Sequence, residues 1–363
     1  MFLTDASYPN SLAAIRALGR EGFIVTAGER EGTPWPATLG FWSRHCAERF
    51  AYPDPDGGVD ATARALAEKF DAQPFAAAIP VGLDMCEVFV RHRDALNVPT
   101  MLPEAASFAL AADKRATYEY AASIGIPVPR TVPATRWREI GLPVVFKEAR
   151  RGAFVASTSD AAEQYAASLG TGVDRYVAQE YVPGTNGFGY FGFFRHGKEI
   201  GYFMHERLVQ FPREGGPSVV ARSVRNWRLR VLGRTLLESL NWNGVAMVEF
   251  KRSARDDEFY LMEINPKLWG SLDLAISAGC NFPVWIARAL TGRCPQPKNE
   301  YREGVTFQWV VPHGLASFIR YPELRPSLVR NVVRGEVRTD VCWSDPLPTA
   351  AGIIAMARRA ARK

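Results

Sequence analysis

The chain has little of what several enzyme classes depend on. Only five of its 363 residues are cysteine and five are histidine. Cys46, Cys86, Cys280, Cys294 and Cys342 are widely scattered and form no C-x-x-C pair. That argues against a disulfide framework or a structural zinc site, and for a reducing compartment. The histidines do not cluster and none lies near Cys280, so nothing supports a nucleophilic triad. The first turn, Asp5-Ala6-Ser7-Tyr8-Pro9-Asn10, has no G-x-G-x-x-G, which leaves a dinucleotide site of the Rossmann kind unsupported. No segment approaches the ~18 uninterrupted apolar residues of a membrane span. No basic stretch followed by an apolar one opens the chain, so a cytoplasmic location without a secretory signal is expected. The net charge of +6 is mild and fits an anionic small molecule as readily as nucleic acid. No lysine-rich run or zinc-finger spacing favours the latter.

What is present reads as a globular protein, 47% hydrophobic and 23% charged, long enough for two or three domains. Residues 1–105 alternate strand signals (1–4, 22–27, 75–80) with helical ones (11–20, 61–70, 85–96), which predicts a small parallel α/β layer. A helix over 113–124 ends at Gly125, and the prolines of Ile126-Pro127-Val128-Pro129 force an extended segment, so a boundary falls near 105–130. Strands are expected at 142–147, 175–182, 189–195 and 199–205, with a helix at 159–169 and a hairpin turn at His196-Gly197. Asn226 caps a helix to residue 240 whose buried side is Val231, Leu232, Leu236, Leu237 and Leu240. Residues 207–218 read as a flexible, glycine-bearing loop, either a lid or a plain hairpin connection. Beyond about 300 the pattern is less regular, and 350–363 reads as a basic surface helix, with a membrane-surface anchor as the lesser alternative.

The most informative stretch is Val245-Ala246-Met247-Val248-Glu249-Phe250-Lys251 with Tyr260-Leu261-Met262-Glu263-Ile264-Asn265-Pro266-Lys267. Two strand-like runs flank the turn residues 253–257, so they read as a hairpin. Side chains alternate between faces. If odd positions pair with odd, Val248, Phe250, Tyr260, Met262 and Ile264 share an apolar face, and Glu249, Glu263 and Asn265 share the other. Two carboxylates that close repel unless a cation lies between them, and such hard oxygen donors suit Mg²⁺. A surface hairpin with two solvated glutamates is the competing interpretation.

In order, Lys114, Lys147, Gln179-Glu180-Tyr181-Val182, Glu249, Glu263 and Asn265 resemble the nucleotide site of the ATP-grasp superfamily over residues 105–290. Residues 263–271 and 207–218 are most similar to ATP-dependent carboligases related to the ATP-binding half of carbamoyl-phosphate synthase. The resemblance implies an α/β and α+β architecture. A pre-ATP-grasp parallel α/β domain (1–105) would precede a small β/α subdomain with linker (106–185), a C-terminal catalytic subdomain (186–300) and a C-terminal extension (301–363). It implies ATP and Mg²⁺ as cofactors, with Mn²⁺ as a substitute, and an amide-forming reaction between a small carboxylate and an amine. Carboxylating or carbamoyl-phosphate-type chemistry, or a non-catalytic nucleotide-binding module, are the alternatives. Neither nucleic acid nor a membrane span is implied, and a homodimer is allowed.

By the same resemblance Lys147 and Lys114 take phosphates, and the backbone of Gln179, Glu180, Tyr181 and Val182 reads adenine. Asn186 stands where relatives place a carboxylate on the ribose, and Glu249, Glu263 and Asn265 hold the metal. Arg207, Ser218 and Lys267 contact phosphate or substrate, Lys267 replacing the more usual arginine and so losing its bidentate fork. Trp269-Gly270-Ser271 would line an acceptor pocket or, for Trp269, the core.

Overall fold

The computed structural model describes residues 1–148, 153–184, 187–212, 216–293, 300–333, 335 and 337–361. In the first region β1 (Phe2–Leu3), α1 (Pro9–Arg20), β2 (Val25–Arg30), β3 (Cys46–Tyr52), α2 (Val59–Ala72), β4 (Ala78–Ile79), α3 (Leu83–Arg91) and α4 (Arg93–Leu96) alternate. Their strands form a parallel sheet of order β3-β2-β1-β4. The strand β3 is absent from the sequence reading. It is an edge strand with alternating half-buried and exposed residues, Glu48 and Arg49 among them, so it lacks the apolar run of its fully buried neighbours.

Two helices, α5 (Ala105–Ala112) and α6 (Lys114–Ser123), lead on. Asp113 ends one and starts the other, its carboxylate accepting from the backbone N–H groups of Arg115 and Ala116 at 2.8 and 3.0 Å. A small antiparallel sheet follows, built of β5 (Thr131–Pro133), β6 (Val144–Glu148), β7 (Ala153–Ala156) and β8 (Tyr176–Glu180) in the order β5-β8-β6-β7, with α7 (Ser159–Ser168) between β7 and β8 in the chain.

The large sheet takes its strands from β9 (Gly187–Arg195), β10 (Lys198–Gln210), β11 (Ser218–Ser223), β12 (Gly244–Arg252), β13 (Phe259–Asn265), β14 (Thr306–Gln308) and β15 (Arg338–Thr339), in the order β13-β12-β9-β10-β11-β14-β15. Between and after them come α8 (Trp227–Ser239), α9 (Leu272–Ala278), α10 (Phe282–Leu290), α11 (His313–Arg320), α12 (Arg325–Val333) and α13 (Leu347–Ala361). The core runs through this sheet, where Phe191, Phe193, Phe203, Phe250 and Trp242 are fully buried.

Four expectations are corrected. Residues 207–210 are not loop: pairing of Arg207 with Ala221 and Gln210 with Ser218 keeps both strands extended, while 213–215 of the expected loop lie outside the described residues. The hairpin pairs Glu249 with Glu263, but a bulge beyond Glu249 sets Phe250 opposite Leu261. The extra residue rotates the rest of the strand, so Phe259 and Leu261 are buried while Tyr260 and Met262 are only half-buried. On α8, Asn226 caps through Leu229 N–H as expected, but Val231 is 52% exposed and Leu229 takes its place inside. Among the described residues after 300, α11, α12 and α13 form regular helices, and β14 and β15 extend the large sheet.

Candidate functional site

The large sheet aligns Glu263 on β13 with Glu249 on β12, and Glu249 with Gly189 on β9. The two carboxylates therefore leave the sheet side by side. From β10, two strands away from β12, Arg207 reaches Glu249 with both ends of its guanidinium, Nη1 to Oε1 at 2.8 Å and Nη2 to Oε2 at 2.5 Å. The guanidinium passes over Gly187. A Cβ there would stand 3.4 Å from Arg207 Cδ and 3.8 Å from Glu249 Oε1, so a longer side chain would fill the guanidinium's path.

Glu263 is held from two other sides. Asn265, two residues along the same face, donates from Nδ2 to Oε1 at 2.7 Å, and Lys114 Nζ lies 3.6 Å from Oε2. Lys147, on β6 of the small sheet, donates to the Tyr118 hydroxyl at 3.2 Å, and that hydroxyl donates to the Met262 carbonyl at 2.6 Å. Helix α6 thus ties the small-sheet lysine to the strand that carries Glu263.

Charge and burial oppose one another here. Burial pushes the Glu249 carboxyl up, Arg207 pulls it down and neighbouring Glu263 adds to the rise. Burial would raise Glu263 too, but Lys114, the Asn265 amide, Arg207 and Lys147 outweigh it and hold it below the usual glutamate value. Burial lowers the Lys147 ammonium, against the pull of both glutamates. Tyr118 is pushed by burial up to about 12 and stays a protonated donor.

Between the two sheets runs the linker expected to read a nucleotide base. Gln179 and Glu180 end β8, with the Gln179 side chain buried and donating to Thr131 Oγ1 at 2.9 Å. Tyr181 lies under Lys251, whose Nζ is 4.6 Å from the ring centroid, and Val182 is buried. The linker is clamped to the β12–β13 hairpin: Ala254 N–H donates to the Pro183 carbonyl at 2.8 Å. Gly184 has φ +146° and a Cβ there would come within 2.2 Å of the Arg252 carbonyl, so only glycine passes.

Six of the expected residues thus converge: Lys114, Lys147, Arg207, Glu249, Glu263 and Asn265. Ser218 does not join them; it pairs with Gln210, while Arg207 faces Ala221 farther along the strand. Lys267 turns to the junction with the first region, where it lines a small cavity with Ile79, Pro80 and Cys86. Trp269 is core, 2% exposed and packed 4.3 Å from Phe191. Asn186 lies outside the described residues. Tyr118 was not anticipated, though it stands four residues after Lys114 and so shares its helix face.

Among the described residues no three His, Cys, Asp or Glu side chains form a metal cluster. The donors at this site are instead two carboxylates and the Asn265 Oδ1, left to accept because Nδ2 is committed to Glu263. An all-oxygen set that includes two carboxylates fits a hard divalent ion.

The model of the family described as ATP-grasp in the biosynthetic pathway with Ter operon matches residues 206–312. None of the curated proteins matches the chain. Among solved structures, pyruvate carboxylase of Rhizobium etli is 17% identical with TM-score 0.63, over 84% of this chain and 30% of that one. This chain therefore spans less than a third of that enzyme. L-amino acid ligase from Bacillus licheniformis is 15% identical with TM-score 0.64, over 84% and 78%. The biotin carboxylase domain of Hydrogenobacter thermophilus 2-oxoglutarate carboxylase, solved with MgADP and bicarbonate, is 15% identical with TM-score 0.67, over 84% and 72%. The chain has the ATP-grasp fold.

Proposed function

We propose that this ATP-grasp chain is an ATP-dependent carboxylate–amine ligase. A substrate carboxylate oxygen attacks the γ-phosphorus, the bond to the β-phosphate oxygen breaks and ADP leaves. An amine then attacks the acyl carbon of the acyl-phosphate, phosphate departs and an amide remains. The observation that carries this reading is the convergence of Lys114 and Lys147 on the Glu249–Glu263 pair, at the meeting of two sheets.

In this reading Lys147 and Lys114 hold the phosphates, and the sheltered position of Lys147 strengthens its pull on an anion. The Tyr118 hydroxyl aims the Lys147 ammonium. The backbone of Gln179 to Val182 reads the adenine edge and Asn186 the ribose. Glu249, Glu263 and Asn265 would hold Mg²⁺, or Mn²⁺ in its place, which supplies charge neutralisation on the triphosphate. Arg207 neutralises Glu249 and would be released to contact phosphate if a metal held that carboxylate. Lys267 and Ser218 are the remaining candidates for contact with substrate. Catalysis is then mostly positioning and electrostatics, with no protein nucleophile required.

A carboxylating ligase shares the first half-reaction, with bicarbonate as the activated acid. Its support is the likeness to a biotin carboxylase domain solved with bicarbonate. The test is ADP release, with Mg²⁺, against pooled small carboxylates, amino acids and bicarbonate, with hydroxylamine as trap. Hydroxamate formation that needs both ATP and an organic acid supports the ligase. ADP release with bicarbonate alone moves the assignment to carboxylation, and no ADP release from any pool refutes both.

A further inference from the structure

Helix α13 carries apolar residues on both its inward and its outward face. Inward, Pro348, Ala351 and Gly352 pack so closely that a Cβ at Gly352 would come within 2.9 Å of Val311 and 3.4 Å of Leu39. Outward, Leu347 is 57% exposed and Ile353 and Ile354 are each 48% exposed, with exposed Ala350, Ala357 and Ala361 at helical spacing around them. Just before the helix, Trp343 is 89% exposed.

The charge on the helix itself has one sign. Helix α13 contains no aspartate or glutamate, and Arg358 and Arg359 are exposed at its end. Arg20 and Arg44 frame Trp343, through Cys342 Sγ and the Ser344 carbonyl, each at 3.4 Å. The nearby carboxylates are committed inward. Asp345, 2% exposed, accepts from Arg16, Ser43 and the Arg44 N–H, and Asp340 accepts from the Val310 and Val311 N–H groups.

We infer that this face docks on an anionic lipid surface. A second copy of the helix would offer no carboxylate of its own to meet Arg358 and Arg359, whereas anionic headgroups do. Exposed tryptophan beside isoleucine and arginine is the composition of a helix lying in the headgroup plane. No described helix is long and apolar enough to cross a membrane, so the contact is peripheral.

The experiment is flotation of the full chain with vesicles of phosphatidylcholine alone, or of phosphatidylcholine mixed with phosphatidylglycerol. Binding to the mixed vesicles only is expected, weakening as salt is raised. Arg358→Gln with Arg359→Gln should lower partitioning on the order of thirtyfold. Ile353→Asn with Ile354→Asn should abolish it. These side chains are exposed, so an unchanged melting temperature and an intact ATP-induced shift should accompany the loss. The inference is overturned if the wild type does not float with anionic vesicles, or if the isoleucine variant floats equally well. It is also overturned if lipid-free sedimentation shows a dimer that the isoleucine substitutions dissociate, because the face then belongs to a second copy.

Discussion

An Arg207→Met substitution would leave Glu249 and Glu263 facing one another with their strongest countercharge gone. Arg207 now holds Glu249 in a two-pronged pair, with side chains only 14% and 17% exposed. Directly paired residues on antiparallel strands have Cβ atoms about 5 Å apart. Two unit charges at that separation repel by roughly 3 kcal/mol at an effective dielectric of about 20. Lys114 and Lys147 remain and offset part of this, so a net loss of about 2 kcal/mol is expected. In a chain of this size that lowers the melting temperature by several degrees. A divalent ion between the carboxylates would replace the missing charge, so Mg²⁺ should raise the melting temperature of the variant more than that of the wild type. The assay is a thermal melt of both proteins in EDTA and across a Mg²⁺ series. If the two melt together in EDTA, or respond equally to Mg²⁺, the carboxylate pair is not an electrostatic cavity waiting for a cation.

Three further outcomes are expected. ATP with Mg²⁺ should raise the wild-type melting temperature, and Lys147→Ala should remove most of that shift; a wild type indifferent to nucleotides would sink the nucleotide site. Glu263→Gln keeps the volume but removes a charge from the donor set, so turnover should fall on the order of a hundredfold. Glu258→Gln, where the carboxylate pairs with Arg228 at the surface, should leave turnover intact. Burial, with Asp340 beside it, raises the Asp273 carboxyl to about 7, against Arg16. The native state then keeps a proton that the unfolded chain releases near 4, and stability is lost as pH climbs from about 4 through 7. Asp273→Asn cannot acquire that charge, so its melting temperature should gain on the wild type between pH 5 and 8; a constant difference would contradict the burial argument.

How much of this site was legible in sequence depends on whether a residue's role follows from its own strand or from a neighbour's. Glu249, Glu263 and Asn265 were legible because a period of two fixes their common face once the hairpin is recognised. The bulge was not. Tyr260 and Met262 alternate as faithfully as Glu263, and only the partner strand reveals the extra residue that turns them away. Arg207 shows the same limit. Two glycines, Gly215 and Gly216, punctuate 207–218 and made the segment look mobile. Its extended form instead comes from pairing with residues 218–223, and its reach to Glu249 passes over Gly187, which on its own signals nothing. Tyr118 was recoverable from helix geometry, since Lys114 already marked that face.

The C-terminal helix is the instructive converse. Its sequence shows apolar and basic residues, from which burial of the isoleucines is the natural inference, yet the small residues Ala351 and Gly352 make the close contact and the isoleucines face out. Close packing selects the face that allows the nearest backbone approach, not the one with the most apolar area, whenever another surface is available to cover the remainder. Composition cannot distinguish the two faces, because both are apolar. The lipid-flotation variants therefore probe a face whose exposure the sequence alone did not decide, while the Glu263 variant probes the feature most nearly written in it.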